Sequence, residues 1–345
     1  MELIDLVGLR YSKDKDIPLR VWINGVGNLL ALLFYILFYH VVSVFAAALA
    51  IVFPDTASLV KNRCGTFFWD FGLYLMHWNK VKIKVMGDEL NPNPAVVISN
   101  HASLADCFVL QHLSRLSTKS ERDCKDGFPH NRDLKLPIIN FFSWFLIWRV
   151  PSFKILTHLL KTDENWELEE SSILYVFAKL LKSKFCEWIV LFPEVNVWTL
   201  DGYNLQQQIG EKYFLPKLEH LLYPRYSAFH NIITAMTKFK PHPYSNLYDL
   251  TILYCRRQHG DEVNYQPPTL LEIFSSKDPI TVLVYVKVRS IARIPNKRKK
   301  LERYLEHLWK HKDKIITQIK EENNLHQMRN FNRHTTFSSS ISGVI

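Results

Sequence analysis

Between residues 21 and 53 the chain is nearly unbroken hydrocarbon, and Asn24, Asn28 and His40 are the only strongly polar side chains in the run. Crossing the apolar core of a bilayer takes ~20 residues of helix, so this stretch is long enough to do so. A helix apolar on every side needs lipid or a deep protein core around it, and the length favours lipid. Basic residues stand on both flanks, Arg10, Lys13, Lys15 and Arg20 before the run and Lys61 and Arg63 after it. The positive-inside rule therefore selects no orientation, and a helix pair dipping in and out stays open beside a single span. The run starts too far from the amino terminus for a secretory signal and no small-residue cleavage site follows it, which predicts a retained anchor. Residues 66–78 come next, with Phe67, Phe68, Trp69, Phe71, Tyr74 and Trp78. Rings with one polar edge suit the headgroup layer, so this segment is expected to be an interfacial helix.

Beyond the anchor, short β-rich runs alternate with helical spacing, the pattern of an α/β domain with a mixed sheet flanked by helices. Strands are expected at 81–86, 95–99, 188–192, 250–254 and 281–288, and helices at 104–116, 166–184 and 226–238. Residues 117–132 read as a loop. Residues 136–160, rich in Phe141, Phe142, Trp144, Phe145 and Trp148, are expected to lie on the membrane or to line an acyl-chain tunnel. Residues 296–324 carry Leu301, Tyr304, Leu305, Leu308, Ile315 and Ile319 at helical spacing among many charges. The basic cluster at 297–300 reads either as a solvated helix face or as a contact for anionic lipid. The chain thus divides into a flank at 1–20, an anchor with its interfacial helix at 21–80, an α/β domain at 81–295, a charged helix at 296–326 and a disordered tail at 327–345.

The formal charge of +10, from 43 Lys and Arg against 33 Asp and Glu, favours anionic partners. A hydrophobic anchor beside the basic clusters makes those partners lipidic rather than nucleic acid. Cys64, Cys107, Cys124, Cys186 and Cys255 are scattered and form no Cys-x-x-Cys pair, which indicates neither a disulfide framework nor a zinc site. No Asn-x-Ser/Thr acceptor occurs, in keeping with a domain that faces a cytosol-like compartment.

Two strand ends carry groups able to do chemistry. The segment Ala95-Val-Val-Ile-Ser-Asn100-His101-Ala-Ser103-Leu-Ala-Asp106 sets a His and an Asp just past a buried strand, where α/β folds expose their ligand sites. A neutral imidazole can take a proton from an attacking hydroxyl, and a carboxylate can fix its tautomer. On one ideal helix the two side chains would point about 140° apart, so His101 belongs to the turn and Asp106 to the first helical turn. The same residues fit a capping box, with Ser103 as N-cap and Asp106 three residues on, and on that reading His101 is incidental. The second segment, Trp188-Ile-Val-Leu-Phe192-Pro193-Glu194-Val195-Asn196, again ends a strand in a carboxylate, and Pro193 stops the ladder so that Glu194 stands at the sheet edge. Together they describe a site for an amphipathic anionic substrate.

Asn100-His101-x4-Asp106 with Phe192-Pro193-Glu194 resembles the paired signature of the glycerolipid acyltransferases, which include the glycerol-3-phosphate and lysophosphatidate enzymes. The run from Glu187 to Glu194, followed by Tyr223-Pro224-Arg225, is similar to the lysophosphatidylglycerol acyltransferase branch. The resemblance spans the chain from the membrane segment to Val288. It implies acyl-CoA-dependent esterification of a lysophospholipid on the cytosolic face of the endoplasmic reticulum, with acyl-CoA as co-substrate and no resident cofactor or metal. His101 would be the general base and Asp106 its orienting partner; Pro193, Glu194, Asn100, Ser103 and Arg225 would lie in substrate binding. The family's basic second block falls near Lys161, where a lysine replaces the usual arginine and gives up its two-pronged contact. Val195 stands where the family has Gly, and because valine resists a positive φ, a differently shaped loop or lowered activity is expected. Backbone amides near Ala102 and Ser103 are candidate donors to the developing oxyanion. Neither motif presents a Ser or Cys in a nucleophile elbow, so direct attack without an acyl-enzyme is expected. A non-catalytic lipid-binding or scaffolding protein is the rival reading.

Overall fold

A computed structural model describes residues 7–8, 18–123, 136–143, 146–148, 170–181, 186–238, 244–257, 263–275 and 278–341. The elements run α1 (Leu19–Leu49), α2 (Pro54–Trp78), β1 (Lys82–Gly87), β2 (Ala95–Ser99), α3 (Asp106–Asp123), β3 (Ile138–Ser143) and β4 (Leu146–Trp148). They continue as α4 (Glu170–Leu181), β5 (Glu187–Leu191), α5 (Leu200–Lys212), α6 (Ser227–Thr237), β6 (Asn246–Arg257), β7 (Val263–Asn264), α7 (Leu270–Phe274), β8 (Ile280–Ser290) and α8 (Arg298–Ile341).

The sheet runs β1-β8-β6-β2-β5-β3-β4, with β7 beside β6. Strands β2, β5, β3 and β6 are mutually parallel, whereas β8 lies antiparallel to β6 and β4 antiparallel to β3. The mixed α/β class expected from the sequence is the observed one. Both faces of the central strands are apolar, as in sheets covered on two sides. Ala95, Val97, Trp188 and Val190 face one core with Phe68 and Trp69 of α2, Val109 and Leu113 of α3 and Phe274 of α7. Val96, Ile98, Ile189 and Leu191 face the other, with Phe177 of α4, Phe229 and Ile232 of α6 and Leu301, Leu305 and Trp309 of α8.

Among the described residues α1 is the helix long and apolar enough to cross a membrane. Its first turns nevertheless sit on the α/β domain. Asn28 Nδ2 donates to the Phe274 carbonyl at 2.8 Å and Asn24 Nδ2 to Asn79 Oδ1 at 3.2 Å. Gly25 makes this approach possible, since a Cβ there would stand 2.8 Å from Leu271 Cδ1. The two asparagines that break the apolar run are thus docking groups. Further along, Phe34, Phe38, Val44 and Phe45 are exposed, and the chain turns at exposed Ile51, Val52 and Phe53 into α2.

Several sequence expectations need correction. The aromatic segment 66–78 is the second half of α2, and Phe68, Trp69, Leu73 and Met76 pack into the domain core, while Phe67, Tyr74 and Trp78 stay exposed. One helix face is therefore structural rather than interfacial. The expected loop at 117–132 begins as helix, because α3 runs on to Asp123 and the hydroxyls of Ser117 and Thr118 bond back to the carbonyls of Ser114 and Arg115. Of the apolar stretch 136–160, residues 138–143 and 146–148 are strands β3 and β4, with Phe141 and Phe142 buried on opposite faces of β3, so the hydrophobicity of those two rings serves the core; residues 144–145 and 149–160 lie outside the described residues. The charged helix expected at 296–326 is α8, which runs to Ile341 and so extends over part of the tail at 327–345.

Candidate active site at the ends of strands β2, β5 and β6

Register decides what meets at this edge. Ile98 pairs with Leu191 across β2 and β5, so His101 and Glu194, each three residues further on, leave the sheet at the same level. Strand β6 runs past the end of β2, and Asn100 fills the step. Its Nδ2 donates to the Ile252 carbonyl at 2.9 Å and its Oδ1 accepts from the Ile252 N–H at 2.7 Å, continuing the ladder with a side chain.

That bridge frees the backbone to turn, and the turn places His101 against Asp106 at the start of α3. His101 Nδ1 lies 3.0 Å from Asp106 Oδ2. The same oxygen accepts the Ser103 N–H at 3.0 Å, and Oδ1 accepts the Tyr254 hydroxyl at 2.7 Å. Asp106 is fully buried, so three donors replace the water it has lost. His101 is 9% exposed, its ring stacks on Phe192 at 4.2 Å between centroids, and Nε2 has no hydrogen-bond partner among the described residues. Capping and orientation coexist. Asp106 caps the Ser103 amide, whereas the Ser103 hydroxyl donates to the Pro268 carbonyl at 2.9 Å and accepts from the Ala105 N–H at 3.3 Å, leaving the box half formed. The Ser103 amide proposed for an oxyanion is thereby already committed.

The turn after β5 grips the His101 peptide from both sides. Glu194 Oε2 accepts the His101 N–H at 3.1 Å, and the His101 carbonyl accepts the Trp198 N–H at 2.8 Å. Glu194 Oε1 accepts from Trp309 Nε1 of α8 at 2.9 Å, and the Pro193 carbonyl accepts from the Arg225 N–H at 2.8 Å. Burial pushes the Glu194 carboxyl up to about 8, against the pull of the His101 amide, the Trp309 indole and the Lys312 charge. Lys312 is itself buried, bonded to Asp249 and the Leu250 carbonyl and lying 5.1 Å from the Trp309 ring centroid. Val195 adopts a positive φ, 68°, so of the two expected consequences the reshaped loop is not the one observed. The loop keeps a left-handed residue there and the β-branched side chain carries the strain, ~1–3 kcal/mol.

A cavity of about 140 Å³ opens beside this clamp, bordered by Asn100, Ala102, Glu194, Trp198, Tyr254 and Lys320 among others. It reaches the neighbours of His101 rather than the ring itself. Of the site residues read from the sequence, His101, Asp106, Asn100, Ser103, Pro193, Glu194 and the Arg225 backbone come together, and Lys161 lies outside the described residues. Sequence reasoning missed Tyr254 and Trp309. Tyr254 could have been found from its place at the carboxyl end of a strand, Trp309 from its position between Leu305 and Ile316 on the apolar face of α8. Compared with family models, with curated proteins and with solved structures, the chain matches none of them at a significant level.

Proposed function

We propose that this chain is an acyl-CoA-dependent O-acyltransferase that esterifies a free glycerol hydroxyl of a lysophospholipid, lysophosphatidylglycerol or a close chemical relative. The observation that carries the reading is the His101–Asp106 pair at 3.0 Å, with Nε2 unpartnered among the described residues, in a domain attached to a membrane-compatible helix. The motif resemblance to glycerolipid acyltransferases points the same way. In this scheme Asp106 holds the Nδ1 proton, and Nε2 receives the hydroxyl proton as the lipid oxygen attacks the thioester carbonyl. Collapse of the tetrahedral adduct breaks the carbon–sulfur bond, and the imidazolium returns its proton to the departing CoA thiolate. Glu194 holds the His101 peptide and so fixes the base, a role that adds to the acceptor contact implied by the resemblance. The domain would sit on the cytosolic face of the endoplasmic reticulum membrane, with α1 in the bilayer.

The rival reading, a lipid-binding or scaffolding relative without catalysis, draws on the strained Val195 and on the full commitment of Asn100 and Glu194 to protein partners. One experiment separates the two. Membranes bearing the protein or its His101→Ala variant receive labelled acyl-CoA and a panel of lysophospholipids, and the products are identified. Transfer that depends on His101 supports the enzyme; none from either protein supports the scaffold; equal transfer from both removes His101 as the base.

A further inference from the structure

We infer that Tyr254 is a positioning residue for this reaction, the phenol that locks the Asp106 carboxylate so that His101 is held in its working tautomer. The inference deepens the reading above and rests on it. Tyr254 is 2% exposed on β6, and its hydroxyl donates to Asp106 Oδ1 at 2.7 Å. Asp106 Oδ2 already serves two donors, the His101 ring and the Ser103 amide. With Oδ1 unclaimed, the carboxylate could rotate about its Cβ–Cγ bond and still satisfy Ser103. The phenol removes that freedom, because both oxygens are then tied to separate elements, one to the turn after β2 and one to β6. A buried tyrosine needs a partner for its O–H, and this one has been given the carboxylate that faces the imidazole.

The placement follows from register. Ser99 pairs with Leu250, and Asn100 bridges to Ile252, so the strand keeps its course and brings the alternate residue, Tyr254, level with the start of α3. Nothing in this places the phenol against lipid or thioester; it acts through Asp106.

The test compares Tyr254→Phe with Tyr248→Phe in the full-length protein in membranes. Tyr248 lies on the same strand, and its hydroxyl donates to the Asn91 carbonyl at 2.9 Å, away from His101. Removing a hydrogen bond to a charged group predicts about a tenfold fall in kcat for Tyr254→Phe with KM within about twofold. Tyr248→Phe is expected to keep kcat. A second readout needs no turnover: the His101 ring-proton resonance in histidine-labelled protein, assigned by its loss in His101→Gln, should shift or broaden in Tyr254→Phe and stay in place in Tyr248→Phe. Unchanged kcat with an unmoved resonance would overturn the inference, as would equal losses in both variants. Activity that survives His101→Ala would instead strike the proposed function, leaving the resonance to decide whether Tyr254 controls the pair.

Discussion

The turns after β2 and β5 leave neighbouring strands at one level, yet their carboxyl groups live differently. Asp106 accepts from a ring nitrogen, an amide and a phenol, and its neighbour His101 keeps Nε2 without a partner among the described residues. Glu194 spends both oxygens on N–H groups of the scaffold, and burial holds its proton on until about pH 8. One turn leaves a ring nitrogen unbonded among the described residues, and the other holds the peptide of the first in place. Two carboxyl groups beyond neighbouring strand ends thus differ in the number and kind of donors around them.

Changes to the presenting turn should act on chemistry and changes to the holding turn on stability. The largest expected effect is His101→Ala, with acyl transfer falling about 10³-fold and folding intact by thermal denaturation. Asp106→Asn keeps the shape but loses the charge that fixes the tautomer, and a fall of about 10²-fold in kcat is expected. A stable, fully active Asp106→Asn protein would erase the distinction between the turns.

Glu194→Gln tests the holding turn through pH. From the ordinary carboxyl value of 4.5 to about 8, the folded chain keeps a proton that the unfolded chain has released. Wild-type stability therefore falls as pH rises across that window, and the glutamine variant should lose this slope in denaturant titrations. Parallel slopes in the two proteins would show that the carboxyl is ionised in the fold. The smallest effect is expected of Val195→Gly, which relieves the left-handed valine and should raise the melting temperature by roughly 2 °C, the equivalent of about 1 kcal/mol. A lower melting temperature would mean that packing of the isopropyl group against its core neighbours outweighs the strain.

Periodicity revealed β2 and β5 nearly to the residue, because a strand buried on both faces is an apolar run with sharp ends. It also revealed the apolar stripe of α8, whose Leu301, Leu305 and Leu308 are buried. The stripe did not announce that Trp309 and Lys312 join it, since a lysine reads as solvated until Asp249 and the Leu250 carbonyl are seen beside it. Sheet and membrane compete for the same signal around Phe141, and local hydrophobicity cannot separate them. Spacing brought His101 and Asp106 together because five residues and one turn suffice. Tyr254, 148 residues from Asp106, depends on strand order, and a single chain read locally does not disclose strand order.

In the proposed reaction His101 takes the proton of a lipid hydroxyl as that oxygen attacks acyl-CoA directly. Its most direct measurement is rapid-mixing release of free CoA from purified protein in vesicles, before and after addition of the lysophospholipid identified as acceptor. No release is expected until acceptor arrives, then release equal to ester formed, and neither in His101→Ala. A burst of CoA before acceptor, or an undiminished rate in His101→Ala, would contradict it.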